Sequence, residues 1–191
     1  MITVMRKEYA SLRRRPFLTP VWILALLAVA GLAVAARGVL EASTTLVVVT
    51  RHAEKLADGS ADPALAPAGL ERAARLAGIF GASPKGLAID AIFVTQWQRS
   101  GATAQPLAAR LGVPVIAIND DDIAGLKSRI LGDYRGRRVL VVAHSDTVGP
   151  IVRALAGGAE SPPVGDAEYG TAYVIAIPRW SRPTVLGIAL P

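Results

Sequence analysis

The chain has two histidines, and both close a short, β-branched apolar run. His52 ends Leu46-Val47-Val48-Val49-Thr50-Arg51-His52, and His144 ends Val139-Leu140-Val141-Val142-Ala143-His144. Such runs read as buried strands of a parallel sheet. Ligands of open α/β sheets bind beyond the carboxyl ends of those strands. Two imidazoles delivered there, one directly preceded by Arg51, predict a site for an anion. A further run, Ile89–Thr95, leads into Gln96-Trp97-Gln98-Arg99 and would bring a second guanidinium to the same rim if these strands are neighbours. Guanidinium groups grip phosphate as a planar fork. A helix N-terminus near Thr147 would add backbone donors. A neutral imidazole can attack phosphorus and carry the phosphoryl group covalently.

The elements that must position these groups alternate. After the strand at Leu46–Thr50 comes a loop, Asp58–Pro67, whose last proline suits the first turn of a helix. Leu70, Ala73, Ala74, Leu76, Ala77 and Phe80 form a helical stripe, stopped by Gly81-Ala82-Ser83-Pro84. A strand at 89–95, a helix from Ser100 to Leu111 closed by Gly112, and a strand at 113–118 follow. Asp120 to Asp122 precede a helix running to Tyr134. The strand 139–143 leads to a helix at 147–156, a loop at 159–168, and two strands, 173–177 and 184–188, close enough to pair as a hairpin. Strand–helix–strand repetition predicts an α/β three-layer sandwich, mostly parallel, with one antiparallel edge.

Four of these segments, in this order, resemble the histidine phosphatase superfamily, the phosphoglycerate mutase-like fold. They are Arg51-His52-Ala53-Glu54-Lys55; the Asp62-Pro63-x-Leu65-x-Pro67-x-Gly69 loop; Thr95-x-x-x-Arg99-x-x-x-Thr103-Ala104; and Val141-Val142-Ala143-His144-Ser145-Asp146-Thr147-Val148. The similarity spans Leu46 to Ile188 and is to the small members that read Arg-His-Ala-Glu-Lys. It implies that His52 is the nucleophile, that Arg51 and Arg99 clamp the phosphoryl oxygens, and that His144 completes the pocket. No metal and no cofactor is required in that scheme. Ser145 stands directly after His144, where an acid phosphatase would carry aspartate. The general acid is therefore sought at Asp122, then Asp121, then Asp146. The aspartates read equally as helix caps, and Glu54 with Lys55 as a local ion pair or rim residues.

Composition adds a second feature. The net charge of +6 sits almost wholly in residues 1–37, where Arg6, Lys7, Arg13, Arg14, Arg15 and Arg37 face only Glu8; the rest holds 15 basic and 14 acidic side chains. No basic face argues for nucleic acid. With no cysteine, disulfides, thiolate catalysis and Cys-bound metals are excluded. Phe17 to Ala36 is apolar apart from Thr19, long enough to cross ~30 Å of hydrocarbon as a helix. The predicted organisation is a basic cytoplasmic leader (1–16), a transmembrane signal-anchor or signal peptide (17–37), a linker (38–45) and the phosphatase-like domain (46–191). The basic leader orients the N-terminus to the cytoplasm and the domain outside it, periplasmic or at the cell surface. Ala33-Val34-Ala35 would allow cleavage and secretion.

The function predicted is a metal-independent phosphomonoester or phosphoprotein hydrolase working through phosphohistidine on His52. Its substrate would be a phosphorylated small molecule or a phosphoprotein. The alternative is a membrane-anchored phospho-ligand binding domain with little or no turnover. A metallohydrolase is disfavoured because no HxH or HExxH spacing occurs, and a serine hydrolase because no G-x-S-x-G is present.

Overall fold

The computed structural model describes residues 19–42, 44–82, 88–158, 165 and 168–190. The chain divides into two compact units, Met1–Leu40 and Glu41–Pro191. The basic leader, the Ser83-Pro84 stop and most of the expected loop 159–168 lie outside the described residues.

The described part of the first unit belongs to helix α1, Thr19–Ala42. Its stretch Val21–Val39 has a mean hydropathy of 2.0 and none of it is buried. The helix extends past Arg37 into the stretch expected as linker. Val39, Leu40, Glu41 and Ala42 include no proline to halt it, and a single Gly38 is tolerated inside a helix.

The second unit is built on one six-stranded sheet. Its elements are β1 (Thr45–Arg51), α2 (Pro67–Gly81), β2 (Ala91–Thr95), α3 (Gln98–Leu111), β3 (Val115–Ile118), α4 (Ile123–Asp133), β4 (Arg138–Ala143), α5 (Ser145–Leu155), β5 (Thr171–Ile177) and β6 (Thr184–Ala189). The strand order is β3-β2-β4-β1-β5-β6. β1, β2, β3 and β4 are mutually parallel, while β5 runs antiparallel to both β1 and β6.

Strand alternation sorts the core into two layers. Val47, Val49, Phe93, Val139, Val141 and Ile175 face Leu126 and Ile130 of α4 and Val148, Ile151, Val152 and Leu155 of α5. Val48, Ile92, Val94, Leu140 and Val142 face Leu76 and Ala77 of α2 and Ala104, Leu107 and Ala108 of α3. Each fully buried Leu, Ile, Val or Phe contributes about 1.5–3 kcal/mol. Because the central strands are covered on both sides, their sequences are continuously apolar rather than alternating.

Two helix starts differ from expectation. α3 begins at Gln98, not Ser100, because its first backbone N–H groups are met from outside the helix: Asp62 Oδ2 accepts from the Gln98 N–H at 3.1 Å. α5 begins at Ser145, not Thr147, and its N-cap is His144 itself. The His144 ring accepts from the Thr147 N–H, and the Thr147 hydroxyl accepts from the His144 N–H. This reciprocal arrangement satisfies two otherwise orphaned donors. Asp146, expected as a cap, instead sits exposed in the first turn. At its far end α3 closes as expected on Gly112, in the left-handed conformation (φ 67°).

Candidate active site

β4 lies between β1 and β2, so the carboxyl ends of these three strands stand side by side. Arg51 and His52 leave β1, Gln96 to Arg99 leave β2, and His144 leaves β4. A cavity of about 690 Å³ opens there, lined by Arg51, His52, Lys55, Trp97, Arg99, Asp120, His144, Ser145, Asp146 and Tyr169. The His52 and His144 rings meet edge to face, with centroids 5.0 Å apart.

His52 is buried, and its backbone N–H continues the ladder to the Ala143 carbonyl at 2.9 Å. Its Nδ1 lies 2.7 Å from the Ala53 carbonyl oxygen. A carbonyl can only accept, so Nδ1 carries the proton and Nε2 keeps its lone pair. Burial lowers the His52 pKa from 6.5 to about 4; the Ala53 carbonyl opposes this, while the positive charge of Arg51 and Arg99, and that which His144 would carry if protonated, push the same way as burial. The ring is therefore neutral at physiological pH, the state a nucleophile needs.

Ala53, fully buried, is pinned by its N–H to the Thr103 hydroxyl at 3.0 Å, which in turn donates to the Arg99 carbonyl at 2.8 Å. The residue after His52 is thus tied to the helix that carries Arg99. Glu54 pairs with Arg72 of α2, at 2.6 Å, rather than with Lys55; Lys55 sits on the pocket rim.

Arg51 donates to the backbone carbonyls of Gly165 and Glu168 at 3.1 and 3.4 Å and to the Tyr169 hydroxyl at 3.3 Å. Its guanidinium carbon stands 4.0 Å from the centre of the Tyr169 ring. Arg99 is held by Asp62 at 3.2 Å and lies 5.0 Å from the centre of the Trp97 ring. Its Nη2 is 3.5 Å from His144 Nδ1, and its buried Nε has no hydrogen-bond partner among the described residues. An unpaired buried donor is uncommon.

His144 Nε2 is 2.8 Å from the Thr95 hydroxyl, which also bonds the Ser100 hydroxyl at 2.7 Å. Thr95 gives its one hydroxyl proton to Ser100, so it accepts from His144 Nε2, which carries the ring proton, and Nδ1 keeps its lone pair. Burial and then Arg99 lower the His144 pKa; Asp146 and Asp120 pull it up, and Arg51 lowers it further.

Of the five residues expected at the site, Arg51, His52, Arg99 and His144 share this pocket. Asp122 does not line it. Its Oδ1 accepts the Gly125 N–H at 2.8 Å, capping α4, and its side chain is exposed. Asp121 is likewise exposed and absent from the lining, while Asp146 is on it. The carboxylate turned inward from this run is Asp120, which accepts from the Trp97 indole at 2.7 Å and the Gln96 amide at 3.0 Å. Those two bonds hold its pKa below the ordinary carboxylate range. Sequence reasoning missed Asp120, Tyr169 and the clamp by Asp62. Asp62 stood in the quoted loop motif without a role, and nothing in the spacing distinguishes the first aspartate of the run from the third.

Residues 47–122 match the family model of the histidine phosphatase superfamily (branch 1). Comparison with curated proteins gives no match. Among solved structures, the protein histidine phosphatase SixA complexed with tungstate superposes with a TM-score of 0.62 at 17% identity, covering 75% of this chain and 96% of that one. A mycobacterial glucosyl-3-phosphoglycerate phosphatase gives 0.62 at 15% identity, covering 78% and 100%. A SixA from Agrobacterium tumefaciens gives 0.55 at 22% identity, covering 74% and 97%. The fold of the body is thus the histidine phosphatase fold. The first three of the four motifs fall within the residues matched by the family model; the fourth, at 141–148, lies beyond them, within the shared architecture.

Proposed function

We propose that the second unit hydrolyses phosphomonoesters or phosphoproteins through a phosphohistidine formed on His52. The observation that carries this reading is a neutral His52 with an available Nε2, enclosed with Arg51, Arg99 and His144 in one pocket. The relatives of the same fold include proteins whose structures are of a phosphatase and of a tungstate complex, tungstate being a tetrahedral oxyanion.

In the first step the Nε2 lone pair attacks phosphorus, a P–N bond forms, the bond to the leaving oxygen breaks, and its electrons depart with that oxygen. The negative charge on the equatorial oxygens is met by the two guanidiniums, already in place before reaction, while His144, whose one ring proton is held by Thr95, closes the pocket beside them. In the second step water attacks the phosphohistidine and restores the ring. Asp120, ionised in the resting site, is placed to take the proton of that water and pass it to solvent; in the first step the leaving oxygen departs as the anion and takes its proton from solvent. Cations of the protein supply the charge stabilisation, so the cycle as drawn needs no metal.

The test is single-turnover labelling with an aryl phosphate. An acid-labile, base-stable phosphoenzyme located to His52 by mass spectrometry, with phosphate release that resists chelators, is the expected result. Saturable phosphate or vanadate binding without turnover on a panel of phosphoesters would make the domain a phospho-ligand binder instead.

α1 supports attachment to a membrane, as an uncleaved anchor or as a signal segment. With the basic residues that precede it in the sequence, it favours a body on the non-cytoplasmic side. Retention of the chain in membranes after alkaline wash, and protease access to the body in sealed vesicles, test these two points.

A further inference from the structure

The body's charges balance in number but not in space. At the rim that holds the pocket stand Asp58, Asp62, Asp120, Asp121, Asp122 and Asp146, outnumbering Arg51, Lys55 and Arg99 of the pocket itself. The opposite end, where the parallel strands begin, collects the turn after α4 with Arg135 and Arg137, the last turn of α5 with Arg153, and the β5–β6 turn with Arg179 and Arg182. The pairing of Ile177 with Thr45 fixes the β5–β6 turn beside the start of β1. Of the acidic residues described at this end, Asp90 is engaged by Arg137 at 3.7 Å and by the Arg138 N–H at 2.8 Å, leaving Glu41 and Asp133. Among the described residues, neither Arg179 nor Arg182 has a carboxylate partner.

The tip of the β5–β6 turn carries Trp180, 64% exposed, with the Arg179 guanidinium carbon 5.6 Å from the centre of its ring. Pro178 and Pro183 bound the turn, stiffening it without burying the indole. A depression of about 960 Å³ separates this tip from Gly157 and Gly158 at the end of α5. An exposed tryptophan among arginines suits a boundary where one partner is apolar and its surface anionic. Connectivity says what that partner is. Two residues separate Ala42 of α1 from Thr45 of β1, a reach of about 10 Å. A bilayer that held α1 would meet the body at this end first.

We propose that this end of the body docks on a bilayer bearing anionic phospholipids, with Trp180 seated at headgroup level and Arg179 and Arg182, backed by Arg135 and Arg137, on lipid phosphates. The proposal rests on α1 being a membrane anchor. It has a consequence for the catalytic site: the pocket lies at the other ends of the strands, roughly 20 Å away. It therefore opens away from the lipid toward soluble or protein-borne phosphate.

The experiment uses the full chain in nanodiscs of zwitterionic lipid, or of the same lipid with phosphatidylglycerol, each with and without brominated acyl chains. The Trp180 signal is the difference between wild type and Trp180→Phe. In anionic discs it is expected to be blue-shifted and strongly quenched by brominated lipid. Arg179→Ala with Arg182→Ala is expected to reduce that quenching at least about threefold, and molar salt to weaken it as charge screening requires. Unquenched Trp180 in anionic discs, or quenching that ignores lipid charge and the arginines, overturns the docking. A blue shift produced by inorganic phosphate alone in zwitterionic discs assigns the arginines to a free anion and overturns it too. A chain released from vesicles by alkaline wash overturns the anchor reading, and the docking with it.

Discussion

His144 donates its Nε2 proton to the Thr95 hydroxyl at 2.8 Å, and Thr95 hands its own to the fully buried Ser100. This chain of three fixes the tautomer of the second imidazole before any ligand arrives. It leaves the Nδ1 lone pair facing the Arg99 Nη2, 3.5 Å away, so that the ring helps to hold the guanidinium that would grip a bound phosphoryl group. Thr95→Val keeps the shape and removes the acceptor. It is expected to lower kcat/KM by about ten- to a hundredfold with the fold intact, the scale associated with loss of one orienting partner of a functional histidine. An unchanged kcat/KM in Thr95→Val would show that the relay is structural.

His52→Ala is expected to remove the phosphoenzyme and to lower turnover by on the order of 10³-fold or more, as loss of a covalent nucleophile does. Intact-mass measurement after quenching decides it: label persisting in His52→Ala would place the covalent step elsewhere.

Because the free-enzyme pKa of His52 is about 4, its nucleophilic form persists well below the usual histidine range. The acid limb of kcat/KM, corrected for ionisation of the substrate, is expected near pH 4 rather than 6.5. Stability follows the same groups. Both histidines have folded pKa values below their unfolded values, so the unfolded chain binds more protons between pH 6.5 and about 4. Their contribution is complete above pH 6.5 and is lost as pH falls through that window. Denaturant titrations at pH 7.5 and pH 5, with His52→Gln as reference, measure it; a histidine contribution that grew on acidification would contradict the assignment.

Asp120 and Asp122 are expected to separate cleanly. Asp120→Asn should slow hydrolysis of the phosphoenzyme by about 10²–10⁴-fold, so that label accumulates in rapid-quench experiments. Asp122→Ala removes a helix cap worth about 0.5–2 kcal/mol and is expected to leave kinetics within about twofold. A reversed pattern would return the catalytic carboxylate to Asp122.

Gly69 marks the closest approach of α2 to the segment that follows His52. A Cβ there would stand 2.2 Å from the Glu54 carbonyl oxygen, a backbone atom that cannot swing aside. Gly69→Ala is expected to destabilise the body by about 1–3 kcal/mol, the ordinary range for overpacking, and thermal unfolding reads it directly.

The alternation of strands and helices was legible in the sequence because local patterns dictate it. β1, expected at 46–50, occupies 45–51; β4, expected at 139–143, occupies 138–143. The antiparallel pairing of β5 and β6 followed from the short turn between them. Helix starts were less legible wherever a cap came from a distant residue, as Asp62 does for α3. In the candidate site, Arg51, His52 and His144 were legible because each ends or directly follows an apolar strand, and Arg99 because it stands just beyond one.

What the sequence determined by itself is which residues leave the strand ends, since burial of both faces of a central strand forces a continuous apolar run that stops where solvent begins. Only the tertiary structure decided that β4 inserts between β1 and β2, which makes β1 and β4 neighbours and sets the two imidazoles 5.0 Å apart. It also chose Asp120 over Asp122. Within three consecutive aspartates the direction of each carboxylate depends on where Trp97, Gln96 and the first turn of α4 offer donors, and those arrive from different parts of the chain.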